Sequence, residues 1–169
     1  MSKSKGEQEK IRLEHDAAKL FMRAYEKESG QVIRHIWHNK PRKPDTSCML
    51  NGEHLDIEIA HLYGSELEAM KYLGRDLTEE SKLALHLLEH SEDVNERLLT
   101  ALNLILENKS KKRYHSDRVW LVIRSVHPEW DADAIKHLLP RIKAPKGHPF
   151  HQIWMVTGEN EMPGIIRID

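Results

Sequence analysis

Residues 44–62, PDTSCMLNGEHLDIEIAHL, constrain this chain more than any other stretch. Asn51-Gly52 is the dipeptide that a two-residue type I′ hairpin loop requires, because both positions take φ > 0. The residues after it alternate: Leu55, Ile57 and Ile59 fall on one face of a strand, and Asp56, Glu58 and Ala60 on the other. A two-residue loop fixes the register, pairing Leu50 with Glu53 and setting Asp45 opposite Glu58 on one face, with Cβ atoms about 5 Å apart.

Facing carboxylates repel and cost stability unless a proton or a cation lies between them. Oxygen donors at this separation suit Mg²⁺ or Mn²⁺, which take one or two carboxylates and complete their shells with water. The hairpin therefore reads as a hard-metal site.

A Pro-Asp on one strand, a turn, and an acid on the next, apolar-alternating strand resembles the PD-(D/E)xK nuclease superfamily. The resemblance implies a restriction-endonuclease-like α/β fold, a mixed sheet with an αβββαβ core. It makes Pro44-Asp45 the PD element and Glu58 the following acid, with Asp45, Glu58 and the Ile59 carbonyl as metal ligands. An acid on the first helix often points into the same site, which makes Glu14 the accessory acid and a further metal ligand here. The implied activity is Mg²⁺- or Mn²⁺-dependent hydrolysis of DNA phosphodiesters by an endonuclease. Where the family usually has lysine, two residues after the acid, this chain has Ala60. The family includes members whose lysine has moved and members that are inactive, so the alternative is a catalytically inactive module that binds DNA or a protein partner.

At 169 residues the chain has the length of one domain, and a formal charge of −1 carries no global signature of nucleic-acid binding. A single cysteine, Cys48, excludes an internal disulfide and fits a reducing cytosol. No apolar run is long enough to span a bilayer, and MSKSKGEQEK lacks the apolar core of a signal peptide, so the expected location is cytoplasmic. The pattern predicts a helix to Ser29 stopped by Gly30, and a first strand over Val32–Trp37. After the hairpin come a helical pair inserted at about 65–92 and a helix capped by Asp93 running to about Lys112. A buried strand over Val119–Val126 follows, then a helix over Asp131–Leu139 and strands at Gln152–Thr157 and Gly164–Ile168.

Several residues admit two readings. Glu14, flanked by Ile11, Ala17 and Ala18, is either turned to the inner surface or one exposed helix glutamate among many. Asp56, opposite Ser47, is either an accessory ligand or a solvated strand residue. Leu98, Leu102 and Ile105 form a helical stripe whose continuation falls on Lys109 and Lys112. Those lysines are either substitutes for the missing motif lysine or cations suited to a helix C-terminus. The twelve histidines lack zinc-site spacing, and His61 reads as a packed histidine. HNKPRK, KSKKRYH and RIKAPKGH are either phosphate-contacting segments or solvated loops. Trp37, Trp120 and Trp154 read as core, and Trp130 is undecided. Two-cut chemistry would favour a homodimer.

Overall fold

The computed structural model describes residues 4–40, 43–63, 78–80, 82–83, 93–158 and 161–169. In chain order the described elements are α1 (Lys5–Ser29), β1 (Ile33–His38), β2 (Thr46–Leu50) and β3 (Glu53–Leu62). These are followed by α2 (Val94–Ser110), β4 (Val119–Ser125), α3 (Ala132–Leu138), β5 (Gln152–Thr157) and β6 (Gly164–Arg167). The six strands form one mixed sheet in sequence order. Strands β1–β2–β3 and β5–β6 pair antiparallel, while β3–β4 and β4–β5 pair parallel. The expected helical pair at 65–92 lies outside the described residues, apart from helical residues 79–80 and 82–83.

Helix α1 begins at Ser4, whose hydroxyl accepts from the Glu7 N–H, and ends at Gly30 in the left-handed conformation, φ 75°. Its buried stripe runs Glu14, Ala18, Phe21 and Tyr25, at the three- and four-residue spacing of one helix face. Ala17 and Ala18 let the helix approach the sheet closely. Phe21 and Tyr25 then pack on Trp120 at centroid distances of 6.2 and 5.4 Å, with Trp154 alongside. Leu55, Ile57 and Ile59 share this cluster.

The other face carries α2 and α3. Leu98, Leu99, Leu102 and Leu106 of α2 cover Leu121 and Ile123 of β4 and Ile153 and Met155 of β5. Because both faces of β4 are covered, all seven of its residues are buried, which is why its sequence reads as a continuous apolar run. Trp130 is fully buried here and satisfies its indole N–H on the Asn95 side chain at 2.8 Å. Asp93 caps α2 by accepting from the N–H groups of Asn95 and Glu96, and the helix stops at Ser110, two residues short of Lys112.

The first strand departs from expectation. It starts at Ile33 and carries an irregularity between Arg34 and Trp37, where His35 takes φ 64°. The bulge breaks the alternation and re-aims Trp37, which is 40% exposed rather than in the core. Trp120 is buried, and Trp154 packs partly buried against the first cluster.

The hairpin closes with Asn51 at φ 52° and Gly52 at φ 81°, the two positive values of a type I′ turn. Its register runs from Leu50↔Glu53 to Thr46↔Ile57 without a slip. Asn51 also ties the loop to β1, donating its N–H to the Val32 carbonyl and accepting the Val32 N–H on its side chain.

Candidate functional site: a facing pair of acids

Continuing the hairpin register one step past Thr46 brings Asp45 over Glu58. The Asp45 N–H donates to Glu58 Oε1 at 3.2 Å, and Asp45 Oδ2 accepts the Ile59 N–H at 2.9 Å. One further step would pair Pro44 with Ile59. Proline has no N–H to offer the Ile59 carbonyl, and Asp45 has taken the Ile59 N–H. The Pro-Asp dipeptide thus ends the ladder, and the Ile59 main chain meets the site through its N–H.

Burial and the neighbouring Glu58 push the Asp45 carboxyl up to about 8, against the smaller opposing effect of the Ile59 N–H. Burial also works to raise Glu58. The hydrogen bond with Asp45, the Lys109 charge and the hydrogen bonds from Tyr114 and Lys109 outweigh it and hold Glu58 below the usual range. At neutral pH the pair therefore shares one proton and carries one negative charge.

Glu58 is only 3% exposed, so its partners decide its state. Oε2 accepts from Lys109 Nζ at 3.2 Å and from the Tyr114 hydroxyl at 2.7 Å, with Lys112 Nζ at 4.0 Å. Lys109 belongs to the last turn of α2, and with Ala60 it lines one cavity. Lys112 lies beyond the helix end and is 56% exposed in its side chain.

Glu14 is buried and enters from α1 on the opposite side of the sheet. Burial raises its carboxyl, Lys10 at 3.8 Å opposes that, and the charges of Glu58 and Lys109 both act on it. Two cavities meet at Glu14 and Lys10. One, about 430 Å³, is lined by Ile59, Ala60, His61 and Lys109; the other, about 540 Å³, by His38, Lys40, Lys43 and Asp45. Burial, together with the charge of Arg124, pushes His61 down to about 4, so it sits in its cavity as a neutral ring.

Asp45, Glu58, Lys109 and Lys112 are thus gathered at one place, with Glu14 and the Ile59 main chain bordering it. Asp56 stands apart, two residues along β3. It is buried and held by the Ser47 hydroxyl and by His54 Nε2 at 2.6 Å. Tyr114 was not expected here: it follows the end of α2 in a loop, where no periodicity marks it. Among the described residues, no group of three or more His, Cys, Asp or Glu side chains is disposed to hold a metal ion. No helix among them is long and apolar enough to cross a membrane. No family model, curated protein or solved structure matches the chain.

Proposed function

We propose that this chain is a metal-dependent nuclease of the PD-(D/E)xK kind, an endonuclease hydrolysing DNA phosphodiesters with Mg²⁺ or Mn²⁺. The supporting observation is the facing Asp45–Glu58 pair, which the metal-free chain holds by retaining a proton and by setting the Lys109 ammonium and the Tyr114 hydroxyl on Glu58. A divalent cation would replace that proton, and the two carboxylates, with the Ile59 carbonyl, would supply oxygen donors of the kind such ions take. When bound, the ion supplies Lewis acidity toward water and the phosphoryl oxygens.

The remaining work falls to the chain's own groups. Tyr114 and Lys109 fix the Glu58 carboxylate in one orientation from the side of α2. Lys109 carries the positive charge that the family draws from the position of Ala60. Once Glu58 is otherwise neutralised, that ammonium is the group placed to bind a phosphate oxygen. Glu14, raised by burial, is the group placed to accept or return a proton on the α1 side. Among the described elements, the order α1-β1-β2-β3-α2-β4 is compatible with the αβββαβ core that this reading requires.

Ala60 and the ion pair that already occupies Lys109 favour a second reading, an inactive module that binds DNA or a protein. Incubation of supercoiled plasmid, single-stranded DNA and RNA with the protein in Mg²⁺, Mn²⁺ or EDTA separates the two. Metal-dependent cleavage that Glu58→Gln abolishes is the expected result. Metal binding with every substrate left intact would replace the nuclease by the inactive module.

A further inference from the structure

On the α2–α3 side of the sheet, the apolar cluster draws on β3 only at Ala60 and Leu62 among the described residues. The β1–β2 end of that face is instead built from Trp37, Ser47, Met49, His54 and Asp56. Trp37 pairs directly with Ser47, Ser47 with Asp56, and Met49 with His54. The Trp37 and His54 rings meet edge to face at 5.6 Å. Trp37 is 40% exposed and the His54 side chain 55% exposed.

The floor under this aromatic pair is fully engaged. Asn39 Nδ2 donates to the Ser47 hydroxyl at 2.6 Å, and Ser47 in turn donates to the Asp56 carboxylate, which also receives His54 Nε2. A buried carboxylate that orients a half-exposed histidine, beside an indole on the surface, is organised for a ligand rather than for the core. The shelf lies on the same face of β3 as Glu58. Asp56 is two residues from Glu58 and His54 four, roughly 7 and 13 Å along the strand.

A basic segment follows the same line. Lys109 and Lys112 stand at Glu58, and Arg118 reaches the His54 carbonyl at 2.8 Å. Residues 109–118 therefore track β3 from the acid pair back to the aromatic shelf. A cationic stripe beside aromatic rings is the arrangement that binds a single nucleic-acid strand, with phosphates on the cations and bases on the rings. A duplex keeps its bases stacked inside and gives the indole nothing to stack on.

We propose that Trp37 and His54 form a stacking subsite for an unpaired base, so that the strand reaching the acid pair is single or locally unwound. The inference deepens the nuclease reading and rests on it for the direction of the strand, but binding tests it separately. The experiment is anisotropy titration, in EDTA, of a labelled oligothymidylate and a labelled duplex of equal length. It uses the wild type, Trp37→Ala and Trp37→Phe, with circular dichroism confirming that each is folded. The expected result is preference for the single strand, weakened roughly 5- to 150-fold in Trp37→Ala and largely restored in Trp37→Phe. Equal or tighter duplex binding, or single-strand binding indifferent to Trp37→Ala, would overturn the subsite. So would loss of self-association in Trp37→Ala without any effect on oligonucleotide binding, which would assign the shelf to a second copy of the chain. Single-strand binding that depends on Trp37 in a protein that cleaves nothing would keep the subsite and remove the nuclease. Cleavage that ignores Trp37 would do the reverse.

Discussion

Asp45→Asn isolates the electrostatic cost of the acid pair without disturbing its shape. A carboxamide accepts the Ile59 N–H as the carboxyl does and can donate to Glu58, so the variant imitates wild type with its proton permanently in place. The Asp45 carboxyl is pushed up to about 8 from an ordinary 3.8. A group raised in the folded state contributes stability fully present below its unfolded value and lost as pH rises through the folded one. Relative to Asp45→Asn, wild type should therefore lose stability between about pH 4 and pH 8. Glu58 is depressed and titrates at the acid end, while the shifts of His61 and Glu14 are common to both proteins, so the difference between the two curves reports Asp45. Each pH unit there is worth at most about 1.4 kcal/mol. Asp45 borders a solvent-accessible cavity, so about half of that sum, roughly 2 kcal/mol, is expected at pH 8. For a domain of this size that is about 4–8 °C in Tm. Thermal denaturation in EDTA across pH 5–8 should show the variant gaining on wild type steadily as pH rises, by roughly 2 kcal/mol between pH 5 and pH 8. A difference between them that does not change with pH would refute the shared proton, and with it the reason for placing a cation there.

Tyr114→Phe removes the 2.7 Å hydrogen bond to a buried carboxylate and should cost about 1.5–3 kcal/mol, seen as a lower urea midpoint at unchanged slope. Lys109→Met should leave Mn²⁺ affinity intact while lowering single-turnover cleavage by about 10²-fold or more, and equal cleavage would remove Lys109 from the chemistry.

How much of this was legible beforehand depended on whether a residue's position was set locally. Asn51-Gly52 is a local signal with a single register, so Asp45 and Glu58 could be placed together from the sequence. Lys109 was only partly legible: the apolar stripe of α2 continues onto it, but a helix C-terminus attracts cations for its own sake, so both readings stood. Glu14 stayed ambiguous because glutamate normally faces water, yet it sits one turn before Ala18 in the buried stripe of α1. Tyr114 was invisible because a loop residue has no period, and its place depends on where α2 ends relative to β3. Trp37 was misread for a comparable reason. A tryptophan in an apolar strand belongs in the core only if alternation holds, and the irregularity at His35 breaks it. The helical pair expected at about 65–92 lies largely outside the described residues.

The most direct test of the nuclease account is calorimetric titration of Mn²⁺ into wild type, Asp45→Ala and Glu58→Ala at pH 8. The account predicts saturable binding to wild type that both substitutions abolish. No binding to wild type, or binding that survives both substitutions, would contradict it.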